Sequence, residues 1–180
     1  AAWFGMINGW KPLGLLILAA LVHEGGHLAV LAAFGTRVTA LHLSVLGAEL
    51  RTDGLRLTYP QELAAVLAGP LADLLCGAAA AAAAGAGRLS YTAAGAFWVL
   101  GLFNLLPIRQ LDGGRALLLL VTWLAGPAAG ERVLRAAGVA AAFALAAILF
   151  YLVAVTGGNI WLLPAAVCAA GAGIRELLGR

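Results

Sequence analysis

Apolar and polar positions divide this chain into long apolar runs separated by short polar punctuation. From Pro12 to Phe34 the run is long enough to cross a hydrocarbon core of ~30 Å, which predicts a first full span. From Gly35 to Tyr59 the pattern changes to alternation: Val38 and Ala40, then Leu41, Leu43 and Val45, with Leu55 and Leu57 after the Asp53-Gly54 turn signal. A period of two predicts a β-hairpin rather than a helix. Open sheet edges are not tolerated in hydrocarbon, so this element belongs at the interface or under a cover of protein.

A second span is predicted from about Gln61 to Ala86, with a kink at Gly69-Pro70. Its second half, Gly77 to Gly87, is nearly all alanine and glycine, a smooth face for close helix packing. Tyr91 to Leu106 reads as a third span and Pro107 to Gly114 as irregular. Apolar helices follow near Arg115 to Leu124, Val133 to Val155 and Ile160 to Ile174. The expected fold is an all-α membrane protein, a polytopic bundle of about six transmembrane helices with a short amphipathic hairpin after the first. One domain over residues 1–180 is expected, and no internal repeat is visible. Ala1 to Met6 reads as the tail of a helix turning at Asn8-Gly9, which suggests a further helix before it.

Composition supports a bilayer as solvent. Of 180 residues 63% are hydrophobic and 11% charged, and the mean hydropathy is +1.00, against roughly 25% charged in an ordinary soluble domain. The net charge of +3 comes from basic residues scattered singly between apolar runs, with no basic stripe and no interleaved aromatics. That argues against nucleic acid as a partner and for anchoring beside the membrane. Basic residues fall on both sides of the predicted crossings, so they do not orient the chain. Cys76 and Cys168 lie far apart in apolar segments and read as packing residues.

Ionisable residues at membrane depth are costly and point to function. His23, Glu24 and His27 form such a cluster in His23-Glu24-Gly25-Gly26-His27. On a helix, histidines at i and i+4 share a face and can bind one metal ion, while Glu24, ~100° around from His23, can address a water there. Zn²⁺ suits imidazole ligands with one position kept open, and Glu24 would be the general base. Such a motif also occurs by chance in soluble helices, but burying three polar side chains in a span without function would be expensive. A third ligand is needed, and Asp112 is the candidate: Pro107 ends a helix before it and Gly113-Gly114 loosen the backbone after it. His42, in the hairpin, reads as a half-exposed strand residue. Glu49, Arg51 and Asp53 read as solvated hairpin charges, and Glu131 with Arg132 and Arg135 as a helix start.

Taken in order, His23-Glu24-Gly25-Gly26-His27, Ala68-Gly69-Pro70, and Asn104-Leu105-Leu106-Pro107 through Leu111-Asp112-Gly113-Gly114 resemble the site-2 protease family of intramembrane zinc metalloproteases. The resemblance covers about residues 12–126, with additional transmembrane helices expected over 131–178. The Gly47-Ala48-Glu49-Leu50 segment and the Asn-Leu-Leu-Pro run look most like the sporulation branch, whose members cleave a membrane-tethered pro-sigma factor. The resemblance implies zinc held by His23, His27 and Asp112, water activated by Glu24, and Asn104 near the scissile bond of a transmembrane protein substrate. It implies a hairpin that pairs with unwound substrate, and a multi-pass protein of a bacterial cell membrane. Asn104 also reads as a helix-terminating cap before Pro107. Asp73 departs from the family, which often has asparagine three residues after Gly-Pro; an acid there could accept a hydrogen bond, tune proton transfer, be protonated or reach the metal. Two other readings stay open: a membrane zinc transporter using the same three ligands in transit, and an inactive member that binds transmembrane helices without cutting them.

Overall fold

The structure is a computed structural model that describes residues 10–36, 38–44, 47–52, 57–87 and 91–156, with isolated positions between 167 and 177. The predicted helix tail at Ala1 to Met6, the Asp53-Gly54 turn and most of the predicted helix at Ile160 to Ile174 lie outside these residues. The chain divides into two compact units, Ala1–Leu105 and Leu106–Arg180.

In the first unit the elements run α1 (Trp10–Ala33), β1 (Val38–Ser44), β2 (Gly47–Thr52), α2 (Tyr59–Gly85) and α3 (Tyr91–Asn104). The start of α2 is written locally. The Thr58 N–H donates to Gln61 Oε1 at 3.0 Å, which is half of a capping box. Pro60 sits in the first turn, where a missing N–H costs nothing, and Glu62 complements the positive helix end. Both α1 and α3 pack against α2, and they also touch each other. The interior is built from small residues: Ala80, Ala93 and Ala94 form a buried cluster flanked by Leu15 and Ala81, with Ala19 fully enclosed as well. Small side chains let the helices approach closely, the packing mode favoured where lipid removes the hydrophobic drive.

The strands pair antiparallel, with Leu41 opposite Leu50, His42 opposite Glu49 and Ser44 opposite Gly47, and with an irregularity between Val38 and Ala40. Ser44 and Gly47 are the last pair at that end of the ladder, and the Asp53-Gly54 turn signal lies outside the described residues.

The second unit holds α4 (Asp112–Ala125) and α5 (Pro127–Thr156), which pack against each other. Gly126 (φ +85°) turns the chain between them, and its N–H donates to the Thr122 carbonyl at 2.9 Å. Outside α5, Arg109 Nη2 donates to Glu131 Oε2 at 2.6 Å and ties the preceding loop to the helix.

Among the described residues there are five helices, and three stretches are long and apolar enough to cross a membrane: Leu13–Ala33, Tyr59–Gly85 and Pro127–Val155. This corrects the expectation of about six spans. The helices Tyr91–Asn104 and Asp112–Ala125 have 14 residues each. At 1.5 Å per residue that is about 21 Å, short of the ~30 Å core. Large apolar side chains face outward: Leu21, Leu75, Val99, Phe150 and Tyr151 are 63–70% exposed. An aqueous surface rarely carries so much of this, whereas lipid accepts it.

Candidate metal centre

The α1 helix brings His23 and His27 onto one face, as their i, i+4 spacing requires. Their rings meet edge to face, with centroids 4.8 Å apart and planes at 80°. His23 is buried and His27 half-buried. Each ring is held from α2 through its Nδ1. The His27 Nδ1–H donates to the Ala65 carbonyl at 2.7 Å, and a carbonyl can only accept, so the ring proton sits on Nδ1. The His23 Nδ1–H donates to Asp73 Oδ2, also at 2.7 Å, and a carboxylate likewise accepts.

With both protons on Nδ1, the two Nε2 atoms present lone pairs to each other. They lie 3.2 Å apart. Two lone pairs at that separation repel unless a cation binds both. Tetrahedral zinc with Zn–N of about 2.0–2.1 Å sets its nitrogen ligands about 3.3 Å apart, so the histidine pair has the spacing and tautomers that zinc needs. Orientation of ligating histidines by a carboxylate and a carbonyl is the usual supporting arrangement of such sites.

Glycine gives the room for this convergence. A Cβ at Gly26 would lie 2.6 Å from the Ala68 carbonyl oxygen, so α1 and α2 touch at backbone level there, and a Cβ at Gly69 would strike the His27 ring. Next to Ala65 lies Val66, whose carbonyl loses its helical donor because Pro70 has no N–H. The Ala68-Gly69-Pro70 run is therefore the surface on which His27 rests.

The other candidates are placed as follows. Glu24 is half-buried on α1, beside His23 in sequence. Asn104 is the last residue of α3, and its Nδ2 donates to the Leu100 carbonyl at 3.2 Å, the geometry of a helix-end residue. Asp112 belongs to the second unit, half-buried as the first residue of α4. The irregular stretch expected from Pro107 to Gly114 is therefore corrected: it ends at Leu111, and Gly113-Gly114 form helix. An acid in the first turn is favoured by the helix dipole. The loop is also pulled tight, since Leu111 N–H donates to the Ile108 carbonyl at 2.9 Å, and a Cβ at Gly114 would collide with that same carbonyl. Glycine here packs the loop instead of loosening it. Cys76 and Cys168 are both free thiols.

Of the roles left open for Asp73 in the sequence, the structure shows the hydrogen-bond acceptor, with His23 as its partner. The Ala65 carbonyl carries no side-chain signal and escaped the sequence.

Helices of membrane-spanning length carrying a histidine pair, one ring buried and the other half-buried, define a membrane protein with a candidate metal centre. Protein-family models give no match to the chain. Stage IV sporulation protein FB of Bacillus subtilis is 34% identical over 126 residues, which is 66% of this chain and 43% of that protein. The chain thus spans less than half the length of that relative. The fold is similar to that of the site-2 protease from Methanocaldococcus jannaschii, with a TM-score of 0.64 and 24% identity over 97% of this chain and 83% of that one. The chain is thus similar in sequence to a sporulation protein and in fold to a site-2 protease.

Proposed function

We propose that this protein is an intramembrane zinc metalloprotease, which hydrolyses a peptide bond in or near a transmembrane segment of a membrane-tethered protein. The observation that carries the reading is the 3.2 Å approach of His23 Nε2 and His27 Nε2, with each Nδ1 donating to a fixed acceptor on α2. His23, His27 and Asp112 would hold the ion. Zinc bound there supplies a Lewis acid for the scissile carbonyl and lowers the pKa of water. Glu24 takes the proton from the attacking water and returns it to the leaving amine nitrogen. Asn104 hydrogen-bonds the carbonyl oxygen as it becomes an oxyanion.

A helical substrate hides its carbonyls in its own hydrogen bonds, so a segment must unwind before it can be cut. The β1–β2 hairpin offers a strand edge to which an extended segment can add. By its likeness to a sporulation protein, the substrate is a regulatory pro-protein, and the enzyme is a multi-pass protein of a bacterial cell membrane.

The test is co-expression of the wild type and of Glu24→Gln with candidate single-span substrates, followed by fragment size. The wild type should release a fragment, and Glu24→Gln should leave the substrate whole while keeping zinc. Undiminished cleavage by Glu24→Gln would remove Glu24 from the mechanism. Zinc flux into liposomes that survives Glu24→Gln would point to a transporter instead.

A further inference from the structure

Asp73 is the most deeply buried acid among the described residues, with no exposed surface, in the middle of α2. Two features hold it. Its Oδ2 accepts from His23 Nδ1 at 2.7 Å, and its Cβ is crowded by α3, where a Cβ at Gly101 would lie 2.9 Å away. An acid enclosed by three helices is costly to bury unless it is paired. A neutral amide would satisfy the same ring N–H at a lower desolvation cost, so packing alone does not explain a carboxylate here.

We propose that Asp73 is a positioning residue of the metal site. By accepting the Nδ1 proton it fixes the tautomer and angle of His23, and its charge makes Nε2 a stronger donor to a divalent cation. The proposal rests on the reading of His23 and His27 as a metal pair. It makes the site a relay across two helices: the acid on α2, the ring on α1, the ion beyond it. Gly101 on α3 serves the same end, because any side chain there would push Asp73 off the ring.

The test measures Zn²⁺ affinity of the full chain, purified in detergent, by competition with a chromogenic chelator, and records the visible spectrum of the Co²⁺-loaded protein. Asp73→Ala should weaken zinc binding by about 10–100-fold and shift the Co²⁺ bands, because the ring is no longer held. Asp73→Asn keeps an acceptor but loses the charge, and should fall between Asp73→Ala and the wild type. A residue that merely fills space would leave the Co²⁺ bands where they are. Wild-type affinity and unshifted bands in Asp73→Ala, beside loss of zinc in His23→Ala, would overturn the proposal. Should Asp73→Ala aggregate, the same result in Asp73→Asn overturns it. Wild-type affinity in His23→Ala would overturn the metal reading itself, which is a separate result.

Discussion

His27 donates its Nδ1 proton to a backbone oxygen, the Ala65 carbonyl, at 2.7 Å. No side-chain substitution at position 65 removes that acceptor, so the ring's orientation depends on how closely α1 and α2 approach. The seat beneath the ring is Gly69, where a Cβ would collide with it. Gly69→Ala should therefore displace His27, lowering zinc content and costing about 1–3 kcal/mol of stability by overpacking. Metal analysis by mass spectrometry and thermal unfolding in detergent measure the two effects separately.

Glu24→Gln should bind zinc as the wild type does and lose about 10²–10⁴-fold in kcat, measured on a purified single-span substrate. If kcat and zinc content fall together, Glu24 supports the metal instead of moving a proton.

Asp112→Ala should bind zinc less tightly than the wild type, since two imidazoles would remain of the three protein ligands a catalytic site uses. The readout is zinc retained after dialysis against a weak chelator. Stoichiometric retention would exclude Asp112 as a ligand.

Asn104→Ala separates its two roles. An oxyanion donor lost at that position costs about 3 kcal/mol in the transition state, roughly 10²-fold in kcat, with zinc content unchanged. Unchanged turnover with a small loss of stability would assign Asn104 to the helix end alone, where its Nδ2 bonds Leu100.

The Arg109–Glu131 pair is partly exposed, at 38% and 50% of its side chains. Exposed pairs contribute little. A double-mutant cycle on Arg109→Ala and Glu131→Ala should give only a small coupling, screened further by salt. A larger value would show that this bond holds the loop before Asp112 in place.

Much of the fold was legible because its causes are local. The apolar run after Pro12 became α1 and the Gln61 run became α2, both within a few residues of the expected ends. A run of apolar residues long enough to span hydrocarbon has few alternatives to a helix. Periodicity did not separate helices of spanning length from shorter apolar ones, so α3 and α4 were overcounted. The strand register was not legible either, because it depends on pairing across the sheet.

By itself, the sequence determined the histidine pair, since spacing of four on a helix puts two rings on one face whatever surrounds them. It also determined the apolar runs and the glycine-proline step in α2. Only tertiary structure decided what holds each ring, because the Nδ1 partners come from α2, 38 and 50 residues along the chain. One of those partners is a backbone carbonyl, invisible in side-chain chemistry, and the other an acid whose role existed only once α1 and α2 had packed.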